Sequence, residues 1–281
     1  MIVVTGATGN IGSTLVGLLA GAGEEVRAVS RGQRPVDLPA QVEHVVADLG
    51  DLDSLSPAFE GADALFLLIT GEQLITGPEP GELLKTAAAA GIRRVVFVSS
   101  QGAVTRPDSA GYARTIAFEH ALAESGLAWT SLRPGGFFSN TFAWIESVRT
   151  QRTVAAPFGE VGLPAVDPAD IAAVAAAALL DDGHDGRAYT LTGPATITPR
   201  AQAAALAEAV DAPVSFAELT PAQAKQNMLR FMPESVADHT LTILGTPTAE
   251  EIQVSGDIER VLGRPATSYA QWARRHRTLF A

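Results

Sequence analysis

Ile2-Val3-Val4-Thr5-Gly6-Ala7-Thr8-Gly9-Asn10-Ile11-Gly12 is the stretch whose reading decides the fold. Residues 2 to 4 make a short apolar run suited to a strand buried on both faces. Gly6, Gly9 and Gly12 then fall at threefold spacing ahead of Ser13-Thr14-Leu15-Val16-Gly17-Leu18-Leu19, which predicts strand, glycine turn and helix. A turn of this kind aims backbone N–H groups and the positive end of a helix dipole at one point, so an anionic phosphate can be held without a charged side chain. Gly6 would permit the tight turn, Gly9 the close approach of a ligand, and Gly12 the close packing of helix on strand. The expectation is dinucleotide binding; a tight turn with no ligand is the alternative. A P-loop is excluded, because no Gly-Lys-Ser/Thr follows.

Beyond the first helix, residues 25–31 read as a second strand with alternating apolar positions. It ends where the adenosine ribose of such a ligand would sit. An NAD-binding chain usually places an Asp or Glu about 20 residues after the glycines, whereas this one has Ser30 and Arg31. An acid would repel a 2′-phosphate and an Arg would attract it through paired N–H donors, so NADP(H) is favoured over NAD(H). The bland alternative is a solvated surface Arg31. A third strand over 42–46 closes with Ala47-Asp48-Leu49, where the Asp48 carboxylate could accept from the adenine amino group. Residues 52–59 and 80–90 predict helices, and 64–69 and 94–99 predict strands of the buried parallel type. The alternation gives a doubly wound parallel α/β (Rossmann) sheet with its ligand at the carboxyl ends of the strands. Ser99, Ser100 and Thr70 would then stand at the sheet edge that faces a nicotinamide.

A helix over 112–124 and a strand over 128–132 lead into Arg133-Pro134-Gly135-Gly136, where the regular pattern breaks. The expected division is a Rossmann body over 1–134, completed by about 153–193, and a small C-terminal α+β substrate lobe from 135–152 and 194–281. Phe137, Phe138, Phe142 and Trp144 form an aromatic cluster suited to a flat organic substrate, or else a hydrophobic hinge packed under the lobe. Asp167-Pro168-Ala169-Asp170 reads as a cap for an alanine-rich helix to residue 180, with both acids structural. Residues 185–193 return a strand to the sheet. Thr198-Pro199 and Thr220-Pro221 repeat the cap device, opening helices through Val210 and Met232 around a short strand at 214–219. A last helix is expected after Thr267, carrying Trp272.

With 281 residues, 47% of them hydrophobic and 18% charged, the chain can bury a large core. Twenty basic against thirty-one acidic residues give a net charge of −11 with no clustered Lys/Arg stripe, which disfavours nucleic acid as a partner. Cysteine is absent, so disulfides, thiolate nucleophiles and cysteine metal sites are excluded. His184 and His239 lack further ligands at metal-site spacing, and no metal is expected. The first strand leaves no room for a leader, and the longest apolar runs, such as 171–180, are too short to span a bilayer. A cytoplasmic protein without membrane contact is the expectation.

With these motifs in place, the chain resembles the NmrA-like branch of the atypical short-chain dehydrogenase/reductases over nearly its whole length. Thr5 to Gly12 is similar to that superfamily's GxxGxxG turn, and Ser125 to Gly135 to its SGxxxTxxRPG segment. Residues 167–170 with the alanine helix, and the strand Gly186-Arg-Ala-Tyr-Thr-Leu-Thr-Gly193, are similar to bacterial NAD(P)H-binding members. The resemblance implies an NADP-binding Rossmann body with a substrate lobe, and activities that include quinone reduction, azo-dye reduction and redox sensing without turnover. By the same resemblance Gly6, Thr8, Gly9, Asn10 and Ile11 should touch the pyrophosphate, Arg31 the 2′-phosphate, and Asp48 and Leu49 the adenine. Leu68 would border the dinucleotide and Pro134 would lie near the nicotinamide.

One departure bears on the chemistry. Standard members of the superfamily carry Tyr-x-x-x-Lys, in which the Lys charge lowers the Tyr pKa, but here Tyr112 is followed four residues on by Ile116. Reduction of a simple ketone, whose alkoxide needs a proton at once, becomes harder. A quinone leaves a ring-stabilised anion that solvent can protonate later. Tyr112 is a candidate proton donor, with packing against the sheet as its alternative; Ser100 is a second candidate, with a turn or cap hydroxyl as the alternative. His120 shares the Tyr112 helix face at i, i+4 spacing from Ile116, where a surface residue is the ordinary reading. The sequence thus points to an NADPH-dependent oxidoreductase with a small aromatic or quinone-like substrate, acting alone or as a homodimer. The alternative is an NADP(H)-binding redox sensor or regulator without turnover. A nucleotide-sugar epimerase or dehydratase would need the missing Tyr-Lys pair.

Overall fold

A computed structural model describes residues 1–32 and 38–281. In chain order the first elements are β1 (Ile2–Val4), α1 (Gly12–Gly21), β2 (Val26–Ser30), β3 (Glu43–Val46), α2 (Leu52–Phe59), β4 (Ala64–Leu68), α3 (Pro80–Ala89) and β5 (Arg94–Val98). They are followed by α4 (Gly102–Thr105), α5 (Ala113–Glu124), β6 (Ala128–Pro134), α6 (Ile145–Gln151), β7 (Thr153–Ala156), α7 (Pro168–Leu180) and β8 (Arg187–Leu191). The remainder comprises α8 (Pro199–Val210), β9 (Ser215–Glu218), α9 (Pro221–Met228), α10 (Glu234–Gly245), α11 (Asp257–Leu262), α12 (Tyr269–Arg275) and α13 (Arg277–Phe280).

The chain divides into two units, residues 1–134, 168–191 and 260–263 in one and residues 135–167, 192–259 and 264–281 in the other. Among the described residues of the first unit, seven strands form one sheet in the order β3-β2-β1-β4-β5-β6-β8, and every pairing is parallel. This is the doubly wound arrangement that the sequence implies, and the apolar runs explain it: β1 is buried throughout, and β4 and β5 nearly so, because helices cover both faces. On one face Val3, Val29, Leu65, Leu67, Val95 and Phe97 pack with side chains of α2, α3 and α5. On the other, α1 packs against the alanine-rich α7. No helix among the described residues is long and apolar enough to cross a membrane.

In the second unit β7 pairs in parallel with β9. That pairing corrects the expected boundary. Residues 153–167 lie in this unit and not in the body, because Thr153–Ala156 hydrogen-bonds to Ser215–Glu218 instead of joining the large sheet. The Thr220 cap holds, its hydroxyl accepting from Gln223 N, but α9 stops at Met228, short of the expected Met232. Ser268 caps α12 in the same way, and Trp272 is carried there as expected.

Within the aromatic cluster Phe138 is part of a core, and Phe142 and Trp144 pack half-buried against it. Phe138 is 1% exposed and meets Tyr269 edge-on at 5.1 Å, while Phe142 lies 5.2 Å from Trp272 and 6.4 Å from Phe280. Tyr269 donates to Thr141 Oγ1 at 3.0 Å, and burial pushes its phenol pKa well above the ordinary value. These rings are drawn inward because burying them is worth more than exposing them to an occasional ligand. Trp272→Ala is therefore expected to destabilise this unit by about 3–5 kcal/mol, read as a lower urea midpoint; an unchanged midpoint would return the cluster to a ligand-facing role.

Candidate functional site

The glycine turn sits where the carboxyl end of β1 meets α1. Gly6 is left-handed, at φ +61°, and a Cβ there would fall 3.1 Å from Leu68 Cδ2 at the end of β4. At Gly12 the constraint is absolute: a Cβ would lie 2.2 Å from the Gly6 carbonyl oxygen. The turn closes through Gly9 N to Gly6 O at 3.0 Å and Ser13 N to Gly9 O at 3.0 Å. Thr8, Gly9 and Asn10 are exposed at its tip, whereas Ile11 and Gly12 are buried. Helix α1 begins without a side-chain cap and without an acid in its first turn. Apart from Ser13 N, which Gly9 O takes, the N–H groups of its first turn can thus face an anion, with no carboxylate to repel it. A cradle of bare backbone at a helix start, with Leu68 against its floor, fits the diphosphate of an adenine dinucleotide.

Around this cradle the structure positions the other expected residues. Arg31 follows β2, is exposed, and has no ion-pair partner among the described residues. Beside it Ser30 Oγ lies 2.8 Å from His44 Nε2 on β3, a pairing the sequence reading missed. Only the parallel register, which sets His44 against Ala28, reveals that His44 reaches Ser30. Asp48 follows β3, half-buried, with Oδ1 accepting from Gly50 N at 2.8 Å and from Gln73 Nε2 at 3.2 Å. Leu49 is 8% exposed and its side chain belongs to the sheet core, leaving its main chain as the part that can face a ligand.

At the other end, β5 and β6 are locked together beyond their ladder by Ser99 N to Leu132 O at 2.7 Å and Gln101 N to Pro134 O at 2.9 Å. Ser99, just past the carboxyl end of β5 as expected, is buried, and its Oγ has no partner among the described residues. The next residue is the one that turns outward. Ser100 is half-buried, and its Oγ accepts from Gly102 N at 3.2 Å, the bond of a turn hydroxyl. The Tyr112 ring lies directly on Gly102: a Cβ at that position would fall 1.9 Å from Tyr112 Cζ and 2.3 Å from its hydroxyl oxygen. Tyr112 and Ser100 therefore flank one glycine. Helix α5, which starts just after Tyr112, is held to β6 by a two-pronged ion pair, Arg133 Nε to Glu119 Oε1 at 2.9 Å and Arg133 Nη2 to Glu119 Oε2 at 2.6 Å. His120 is exposed on that helix. Thr70, exposed past the end of β4, opens a one-turn helix and faces Gln73 in a capping box. No cluster of three metal-ligating side chains occurs among the described residues.

The NAD(P)H-binding family matches residues 6–182. The chain is 38% identical, over 100% of its length and 99% of the relative's, to (4-alkanoyl-5-oxo-2,5-dihydrofuran-3-yl)methyl phosphate reductase of Streptomyces griseus. It is 34% identical to NAD(P)H azoreductase of Xenophilus azovorans, again over 100% of this chain and 99% of the other. The NADPH complex of the NADPH-dependent quinone oxidoreductase from Escherichia coli superposes with a TM-score of 0.79 at 25% identity, over 98% of this chain and 99% of that one.

The contact at Gly12 makes a sharp test. Gly12→Ala is expected to abolish measurable NADPH binding and lower the melting temperature, whereas Gly17→Ala, with nothing within 4 Å of the added carbon, should do neither. Retained binding in the Gly12 variant would show that the turn is not the cradle.

Proposed function

The chain belongs to the NAD(P)H-binding family and resembles the NmrA-like branch of the atypical short-chain dehydrogenase/reductases, and on that premise we propose that it is an NADPH-dependent oxidoreductase passing hydride to a planar conjugated acceptor such as a quinone. The observation that carries the reading is Ile116, one turn along α5 from Tyr112, where a ketone-reducing relative would carry an ammonium. The names of the relatives agree in kind: a quinone, an azo compound and an acyl dihydrofuranone are all conjugated acceptors, and each can delocalise the charge that hydride brings.

In this reading Gly6, Thr8, Gly9, Asn10 and Ile11 hold the diphosphate, Arg31 the 2′-phosphate, and Asp48 with the Leu49 main chain the adenine. Leu68 and Pro134 border the far part of the dinucleotide. When bound, the coenzyme supplies the hydride. The chain supplies hydrogen-bond donors and their placement. Ser100 Oγ accepts from Gly102 N and so keeps its own hydrogen for an acceptor oxygen. Tyr112, whose ring lies against Gly102, is the second donor in this reading. Two hydroxyls turned to a developing oxyanion would stabilise the charged product without an ammonium, because a conjugated anion needs only partial help.

Three measurements test this. NADPH absorbance should fall steadily when the protein is given a panel of quinones; firm NADPH binding with no turnover across the panel would instead favour a redox sensor. Arg31→Asp should weaken NADPH binding by at least about tenfold and spare NADH, since the change turns a charge-assisted bond to the 2′-phosphate into repulsion. Equal loss for both coenzymes would defeat that assignment. Tyr112→Phe should cut turnover by about a hundredfold with NADPH affinity unchanged, and an unaltered rate would reduce Tyr112 to a packing residue.

A further inference from the structure

The segment between β4 and α3 is tied to the residue proposed to read adenine. Asp48 is fixed on one side only: Oδ1 takes the bonds from Gly50 N and Gln73 Nε2, while Oδ2 accepts none among the described residues. Its main chain is fixed as well, the N–H donating to Ser54 Oγ at 3.0 Å and the carbonyl accepting from the same hydroxyl at 3.2 Å. Gln73 can meet a carboxylate only with its NH2 end, and its Oε1 correspondingly faces Thr70 N at 3.4 Å.

Gln73 is itself held from the main chain. Arg114 Nε donates to Gln73 O at 2.7 Å, and Arg114 Nη2 donates to Pro78 O at 2.6 Å. The guanidinium lies over Phe118 at 5.4 Å, and Phe118 stacks on Phe97 of β5 at 5.3 Å. Position therefore passes from the sheet core through Phe118 and Arg114 to Gln73, and from there to one oxygen of Asp48.

We propose that Gln73, braced by Arg114, is a positioning residue that orients the Asp48 carboxylate so that Oδ2 reads the exocyclic amino group of the coenzyme's adenine. Without Gln73 the Gly50 N bond alone holds Oδ1, and the carboxylate can pivot about that single contact so that Oδ2 swings toward solvent. With it, the acceptor stands in one place, and a base bearing a carbonyl where adenine bears its amino group meets a repulsive oxygen–oxygen contact. The inference rests on the reading of Asp48 as the adenine contact.

The test uses deamino-NADPH, in which hypoxanthine replaces adenine. The wild-type protein is expected to bind NADPH about tenfold more tightly than the deamino analogue, as measured by calorimetry. Gln73→Met, close in size but unable to donate, should bring that ratio to within about twofold, while the melting temperature stays near the wild-type value. Arg114→Met should bring the ratio down in the same direction. A change in overall affinity with the ratio kept would indicate a merely structural role and overturn the inference. Asp48→Ala separates the two levels: if it abolishes discrimination and Gln73→Met does not, the brace is wrong and the adenine reading stands. If Asp48→Ala leaves discrimination intact, or the wild type shows none, the adenine reading falls and the inference with it.

Discussion

The ligand-facing edge of the first unit depends on how closely α1 lies against the main chain of the turn before it. With a Cβ at Gly12 only 2.2 Å from the Gly6 carbonyl oxygen, any other residue there would lift the helix away and aim its N-terminal amides elsewhere. The turn is also anchored from below. Thr5, buried, donates its hydroxyl to Phe66 O at 3.1 Å and accepts from Leu68 N at 2.9 Å, so one side chain closes the end of β1 onto the end of β4. Leu68, held by that bond, lies against Gly6. Since α1 packs on α7 behind the turn, the amides are fixed from two directions before any ligand arrives. Such preorganisation leaves little ordering for a bound diphosphate to impose.

The residues further along the edge are fixed by different means, matched to what each has to do. Asp48 and Ser100 sit in short turns and are pinned by local bonds, Gly50 N to Asp48 Oδ1 and Gly102 N to Ser100 Oγ. Arg31 is unlike them, exposed and without an ion-pair partner among the described residues, so in the proposed reading no neighbouring acid there competes with a phosphate for its guanidinium. Tyr112 is placed by shape, its ring fitting the space left by the missing side chain of Gly102, and α5 is held by the Arg133 to Glu119 fork. Hydrogen bonding to a partner within two residues fixes a direction at small entropic cost. Longer-range positions need packing or paired charges.

How much of this was legible in the sequence follows from the range of the forces involved. The strands of the sheet and the glycine turn were readable because burial on both faces leaves an unbroken apolar run, and because three glycines between a strand and a helix have few other uses. The caps at Thr198 and Thr220 are local in the same way. Strand β7 was not readable: four residues with alternating burial carry almost no periodicity, and their partner, β9, lies some sixty positions away in the register Thr153 to Ser215. Nothing in residues 153–167 marks them as part of the lobe, so they were assigned to the nearest sheet. Phe138 and Phe142 left two readings open for a related reason, since an aromatic cluster looks alike in sequence whether it faces a ligand or Trp272. The Gln73 to Asp48 and Ser30 to His44 bonds join residues on separate strands and loops, and only the register and the turn after β4 bring them together.

The replacement of an ammonium by Ile116 sets a limit on the chemistry that the placement of hydroxyls alone would not. A simple alkoxide, once formed, is far more basic than any group beside Ser100 and Tyr112, so its formation requires a proton within the same step. A hydroxyl pair without a cation can stabilise a partial charge but not drive that proton transfer. If, as proposed, the accepting molecule spreads the charge over a ring or an extended π system, the demand on the protein drops to hydrogen bonding, which the proposed pair of Ser100 and Tyr112 can meet. An apolar side chain at position 116 then costs the reaction nothing, because no cation is needed to make the phenol more acidic. In that reading the missing Lys matches acceptors that carry their own charge sink, and a single position on α5 bears on the acceptor's electronic structure.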